Sequence, residues 1–81
     1  MKIKSNIAVS DSGFIFNPDT GESYTVNPIG TRIIQMLKDG TSGGEINSKL
    51  LKEYSVDAGT LEKDIDDFTG LLRNYSLIEN E

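Results

Sequence analysis

Glu22-Ser23-Tyr24-Thr25-Val26-Asn27-Pro28-Ile29-Gly30 is the stretch on which the fold turns, because strand signals lie before its midpoint and helix signals after it. Ser23 to Val26 alternate in polarity and are rich in aromatic and β-branched side chains, so Tyr24 and Val26 share one face of a strand and Ser23 and Thr25 the other. Asn27 ends that strand. Its side-chain oxygen can accept from the free amides of a following helix, and Pro28 suits the first helical position, where a missing N–H costs nothing. A strand therefore runs directly into a capped helix.

Upstream, Ile7-Ala8-Val9 reads as a first short strand, with Asp11-Ser12-Gly13 turning it into Phe14-Ile15-Phe16. Asn17-Pro18-Asp19-Thr20-Gly21 supplies a type I turn closed by a left-handed glycine, which returns the chain into Glu22. Three strands in an antiparallel meander follow from this punctuation. Phe14 and Phe16, together with Ile7, Val9, Tyr24 and Val26, are expected to form the core face of the sheet.

Downstream, three helical segments are expected. From Pro28 to about Lys38, Ile29, Ile33, Met36 and Leu37 make one apolar stripe, and Gly40 sits where a helix end favours a left-handed residue. The second helix opens on Ser42-Gly43-Gly44-Glu45, which has capping-box spacing, and carries Ile46, Leu50, Leu51 and Tyr54; its two glycines weaken the first turn. Ser55 and Val56 connect it to the third, which Asp57 caps and in which Leu61, Ile65, Phe68, Leu72 and Tyr75 align. Leu77 and Ile78 are expected to fold the tail back onto the core. Leu71 lies on the flank of the stripe, where it either completes the core or floors a groove, and Gly70 has no evident role.

Composition narrows the chemistry. A chain of 81 residues makes one domain over residues 1–81, able to bury roughly 60% of its unfolded surface. It has no Cys and no His, which removes disulfides, thiolate chemistry and the commonest general base and metal ligand. The net charge of −5 (8 basic against 13 acidic residues) disfavours a polyanionic partner. The opening Met-Lys-Ile-Lys-Ser-Asn is followed by no long apolar run, so neither a signal peptide nor a membrane span is expected, and the cytoplasm is the simplest location.

These residues together resemble the PqqD family over about Ile7 to Ile78. Asn27 and Gly30 match its strand-to-helix signature, and Asp39-Gly40 the acidic-glycine pair ending the first helix. Glu45-Ile46, Leu50, Tyr54 and Val56 follow the pattern of the second helix; Asp64-Ile65, Phe68, Leu72 and Leu77-Ile78 follow that of the third. Ser76 departs from the pattern, since the family usually has a glycine before the final Leu, and so does Gly70 inside the third helix. The resemblance implies an α+β, winged-helix-like fold, with a three-stranded antiparallel sheet followed by three helices. It also implies a recognition element for ribosomally made precursor peptides rather than an enzyme. In such modules the leader segment of the precursor adds as a strand to the sheet edge beside the third helix and is presented to a modifying enzyme, often a radical SAM enzyme. By that analogy the peptide-binding residues are Glu22, Ser23, Tyr24, Thr25 and Val26 on the edge strand, with Asp64, Asp67, Phe68 and Leu71 on the helix. No cofactor is implied. An open edge strand allows a monomer or a strand-exchanged dimer.

Other readings are open to such an outline. A winged helix can read DNA with its third helix, but from Asp57 to Tyr75 that helix has five acidic residues against two basic, the wrong sign for phosphates. Asp64 and Asp67 can share a helix face that Asp66 cannot join, so a carboxylate metal site lacks a ligand set. A regulatory domain that binds a folded protein through the same surface is the remaining alternative.

Overall fold

The computed structural model describes residues 2–79. Strands β1 (Ala8–Val9), β2 (Phe14–Asn17) and β3 (Glu22–Thr25) precede helices α1 (Pro28–Lys38), α2 (Gly43–Glu53) and α3 (Ala58–Asn74). The sheet order is β1-β2-β3, antiparallel throughout, with Val9 opposite Ile15 and Ile15 opposite Tyr24. The meander and the helix boundaries follow the expected punctuation closely. The Asn27 side chain accepts from the Gly30 amide at 2.8 Å, Ser42 from Glu45 at 3.3 Å and Asp57 from Thr60 at 3.0 Å. Each helix thus begins at a side chain that satisfies one of its otherwise free amides.

The facing of β2 differs from the expectation. Ile15 and Asn17 are buried, whereas Phe14 and Phe16 lie on the outer face at 47% and 37% exposure. Ile7, Val9, Tyr24 and Val26 do face the core, Ile7 buried and the others packed partly against it. Three consecutive apolar residues carry no alternation from which to choose a face. The turn chooses it instead: the Asn17 side chain points inward and accepts from the Asp19 amide at 3.0 Å. With Asn17 inside, a period of two places Ile15 inside and Phe16 outside.

Helix α1 is the centre of the core, with Ile33, Ile34, Met36 and Leu37 all buried. Ile46 and Leu50 of α2, and Leu61 and Leu72 of α3, pack around the same cluster. Arg32 of α1 makes a forked ion pair with Glu53 at the end of α2, Nε to Oε1 and Nη2 to Oε2 both at 3.0 Å. The Arg32 hydrogen bond holds the Glu53 carboxyl below the usual carboxylate range. The tail folds back as expected, and it does so onto the N-terminal segment. Ile3 bridges Ile78, the Lys4 amide donates to Leu77 O at 3.0 Å, and the Glu79 amide donates to Lys2 O at 2.8 Å. Among the described residues no helix is long and apolar enough to cross a membrane.

Candidate functional site

Among the described residues β3 pairs with β2 alone, which leaves its other edge unpaired. The register decides which groups that edge presents. Val26 donates its amide to Gly13 O at 2.9 Å, and pairing is Phe14 with Thr25 and Ile15 with Tyr24. Because amides alternate sides along a strand, Tyr24 and Val26 point theirs at β2 while Ser23 and Thr25 point theirs outward. Two backbone donors with their neighbouring carbonyls therefore line an unpaired edge two residues apart, which is the template an added strand requires.

A cavity of about 320 Å³ opens between the start of α1 and one face of α3. Ile29, Ile33, Leu61, Ile65 and Phe68 give it an apolar floor, and Asp64, Asp67 and Leu71 stand along α3 at its rim. All four α3 residues expected at a site therefore meet in one groove. Leu71, 49% exposed, belongs to the groove and not to the core. Phe68 and Ile65 are only half-buried, unlike Leu61 and Leu72, so the apolar stripe of α3 divides between core and groove. Asp66 lies on the other side of the helix, facing a different cavity. Among the described residues no three acidic side chains come together in a way that could hold a metal ion.

The β3 residues stand apart from the cavity lining, and the connection between strand and helix runs through an aromatic pair. Tyr24 on the inner face of β3 stacks on Tyr75 at the end of α3, with ring centroids 4.5 Å apart and planes at 21°. Burial, followed by the negative charge of Glu22, raises the Tyr24 phenol above its ordinary value. Glu22, Ser23 and Thr25 are exposed and Val26 is half-buried, immediately before the capped start of α1.

Sequence reasoning did not place Asn27, Ile29, Gly30 or Val56 at this groove, nor Tyr75 beside Tyr24. One signal was available. Gly30 sits inside a helix that gains nothing from glycine, and a Cβ there would lie 3.1 Å from the Phe68 ring and 3.1 Å from the capping oxygen of Asn27. The glycine is what lets the Phe68 ring lie against the first turn of α1.

Comparison with known proteins bears on what this arrangement does. The family described as Coenzyme PQQ synthesis protein D (PqqD) matches residues 13–78. No curated protein matches the chain. Among solved structures, TbiB1 in complex with the TbiA(beta) leader peptide is similar at a TM-score of 0.90 and 32% identity, over 100% of this chain and 98% of that one. A lasso peptide synthetase B1 complexed with the leader peptide is similar at a TM-score of 0.79 and 25% identity, over 91% of each chain.

Proposed function

Because the chain belongs to the PqqD family, we propose that it is a non-catalytic module that captures the leader segment of a ribosomally made precursor peptide and presents it to a modifying enzyme. The observation that carries this reading is the free edge of β3, with outward amides at Ser23 and Thr25, on the same domain as a groove floored by Ile65 and Phe68. Two structural relatives are complexes with leader peptides. An extended peptide added to the edge gains backbone hydrogen bonds that are indifferent to its sequence. Its alternate side chains, which point toward the helix layer, supply selectivity through the groove. Glu22 to Val26 would hold the backbone, Phe68 and Leu71 an apolar side chain, and Asp64 and Asp67 a basic group or amide of the peptide.

Enzyme activity finds no support in the residue set, since catalysis would fall to isolated carboxylates, lysines and tyrosines. The partner enzyme is one that modifies or processes the bound precursor, radical SAM enzymes included. A cytoplasmic site of action fits that role, and the chain works as a monomer unless two copies exchange edge strands.

The test is a calorimetric titration of the domain with the leader peptide encoded beside it. Ordering a flexible peptide costs several kcal/mol, so a Kd on the order of micromolar is expected. Thr25→Pro removes one edge donor and Leu71→Asp charges the groove rim; each should weaken binding at least tenfold in a protein that still folds. Unchanged affinity in both folded variants would sink the edge-and-groove mechanism.

A further inference from the structure

A strand added antiparallel to the unpaired edge of β3 must put one side chain at a place the edge itself fixes. Ser23 and Thr25 point their amides outward, so the added residue between those two hydrogen-bonded positions faces Tyr24 in a non-hydrogen-bonded pair. Cα atoms in such a pair approach to about 4.5 Å, and the two side chains share a face. That face is the inner one, because Tyr24 packs against the core. The surface waiting there lies beyond the cavity between α1 and α3. Tyr24 is stacked on Tyr75 with ring centroids 4.5 Å apart, and Tyr75 is still 45% exposed. The backbone of Tyr75 is held, since its amide donates to Leu71 O at 3.0 Å and Leu77, two residues on, is buried. Glu22 lies on the same side of β3, two residues before Tyr24 and opposite the inward Asn17. Its negative charge bears on the Tyr24 phenol. The side chain is exposed, and among the described residues it meets no basic group. An open tyrosine face and an unpaired carboxylate therefore flank the one position that an added strand is bound to fill.

We propose that Tyr75, together with Tyr24 and Glu22, selects an arginine of the leader at the position facing Tyr24, two residues after an apolar residue that faces Val26 and enters the cavity. This rests on the leader-binding function proposed above and adds Tyr75 to the residues that choose the peptide. A guanidinium is flat enough to lie on a tyrosine face and carries forked donors for the Glu22 carboxylate. A lysine ammonium has the charge without the plane, and an apolar side chain would shield the carboxylate from water without pairing it. The spacing agrees with this assignment. The cavity lining begins at Asn27, directly after Val26, and includes Leu71. Leu71 and Tyr75 are four residues apart on one helix, about 6 Å along its axis, and alternate residues of a strand are about 6.6–6.8 Å apart. Successive inward side chains of the leader thus meet first the cavity and then the tyrosine pair. The net charge of −5 also draws a cationic segment to the domain.

The probe is N-acetyl-Thr-Ile-Thr-Arg-Thr-Thr-amide, titrated into the isotope-labelled domain beside the same peptide with citrulline, which keeps the shape of arginine and loses its charge. Both peptides should shift the Ser23 and Thr25 backbone amides saturably. The arginine peptide should also shift the Tyr75 amide and bind at least fivefold more tightly. Glu22→Gln and Tyr75→Leu should each erase that advantage, whereas Tyr75→Phe, which keeps the ring, should retain it; the dispersion of each variant's amide spectrum checks that it is folded. Equal affinity for the two peptides, accompanied by shifts at Ser23 and Thr25, would overturn the arginine assignment and leave the added strand standing. An arginine advantage that survives Glu22→Gln or Tyr75→Leu, or that Asp64→Asn erases in their place, would also overturn the proposal. An arginine advantage at Tyr75 with no shift at Ser23 or Thr25 would remove the added-strand reading alone. No saturable shift with either peptide would overturn both.

Discussion

Single residues show where this chain carries avoidable cost. Helices α1 and α3 end in the same way: the residue after the cap is left-handed, Gly40 at φ 82° and Ser76 at φ 58°. The following amides reach back alike, Thr41 to Met36 O at 2.9 Å and Leu77 to Leu72 O at 3.0 Å, which is the Schellman arrangement. At Gly40 the conformation is free of steric cost; at Ser76 a Cβ opposes it. Ser76→Gly should therefore stabilise the domain by about 0.5–1 kcal/mol, read as a rise of several degrees in Tm. Gly70 makes the opposite point. A Cβ there meets nothing within 4 Å, so Gly70→Ala should gain about 1 kcal/mol, whereas Gly30→Ala should gain nothing and displace Phe68. Equal melting shifts for the two alanine variants would show that Phe68 does not rest on Gly30. The departures of Ser76 and Gly70 from the family pattern were both visible in the sequence. Only the structure separates the strained serine from the merely wasteful glycine.

At the scale of elements, punctuation was legible and facing was not. Asn27, Ser42 and Asp57 marked three helix starts because a capping side chain acts on amides two or three residues away, entirely within the local sequence. The face of β2 depends on Asn17 reaching the turn, and the division of α3 between core and groove depends on Gly30, which lies far from Phe68 along the chain. Helix α3 is the element on which these differences matter most. Phe68→Ala should cost about 2 kcal/mol, less than a fully buried Phe because one side of the ring faces the groove, and should abolish leader binding while the domain stays folded. A denaturant melt and a titration of the same sample check both halves. The start of α3 also sets an acid limit. The Thr60 backbone amide, with the Thr60 hydroxyl next, holds the Asp57 carboxyl below its ordinary 3.8, and Arg32 holds Glu53 below its ordinary 4.5. Both folded-state values are depressed. The stability they contribute is thus complete above the ordinary values and is lost as pH falls through the lower, folded ones. Urea midpoints should fall below about pH 4, and Asp57→Asn, which keeps the cap but not the charge, should flatten part of that decline. An unchanged slope in Asp57→Asn would remove Asp57 from the account.

For the whole molecule, the decisive contact joins the two ends of the chain. Ile3 and Ile78 bridge, and Ile3, Ile7, Leu77 and Ile78 are all buried in the common core. The tail's return was expected from its apolar residues, but its partner was not, because Ile3 lies among Lys2, Lys4, Ser5 and Asn6 and alone shows no periodicity. A domain of this size has a shallow core, in which each such side chain is a large fraction of total stability. Deleting residues 1–4 would expose Leu77 and Ile78, remove Ile3 and leave the Leu77 carbonyl without its Lys4 donor. Burying one such side chain is worth about 1.5–3 kcal/mol, so the truncated chain should melt roughly 10 °C or more lower. None of these clamp residues lines the cavity between α1 and α3 where the leader is proposed to bind. Leader peptide should accordingly bind the folded fraction with its parent affinity and, by mass action, recover part of the lost Tm at saturating concentration. A truncated domain that melts like the parent would show that the terminal bridge contributes nothing. One that stays folded but loses the leader would place the N-terminal segment in the binding site rather than in the clamp.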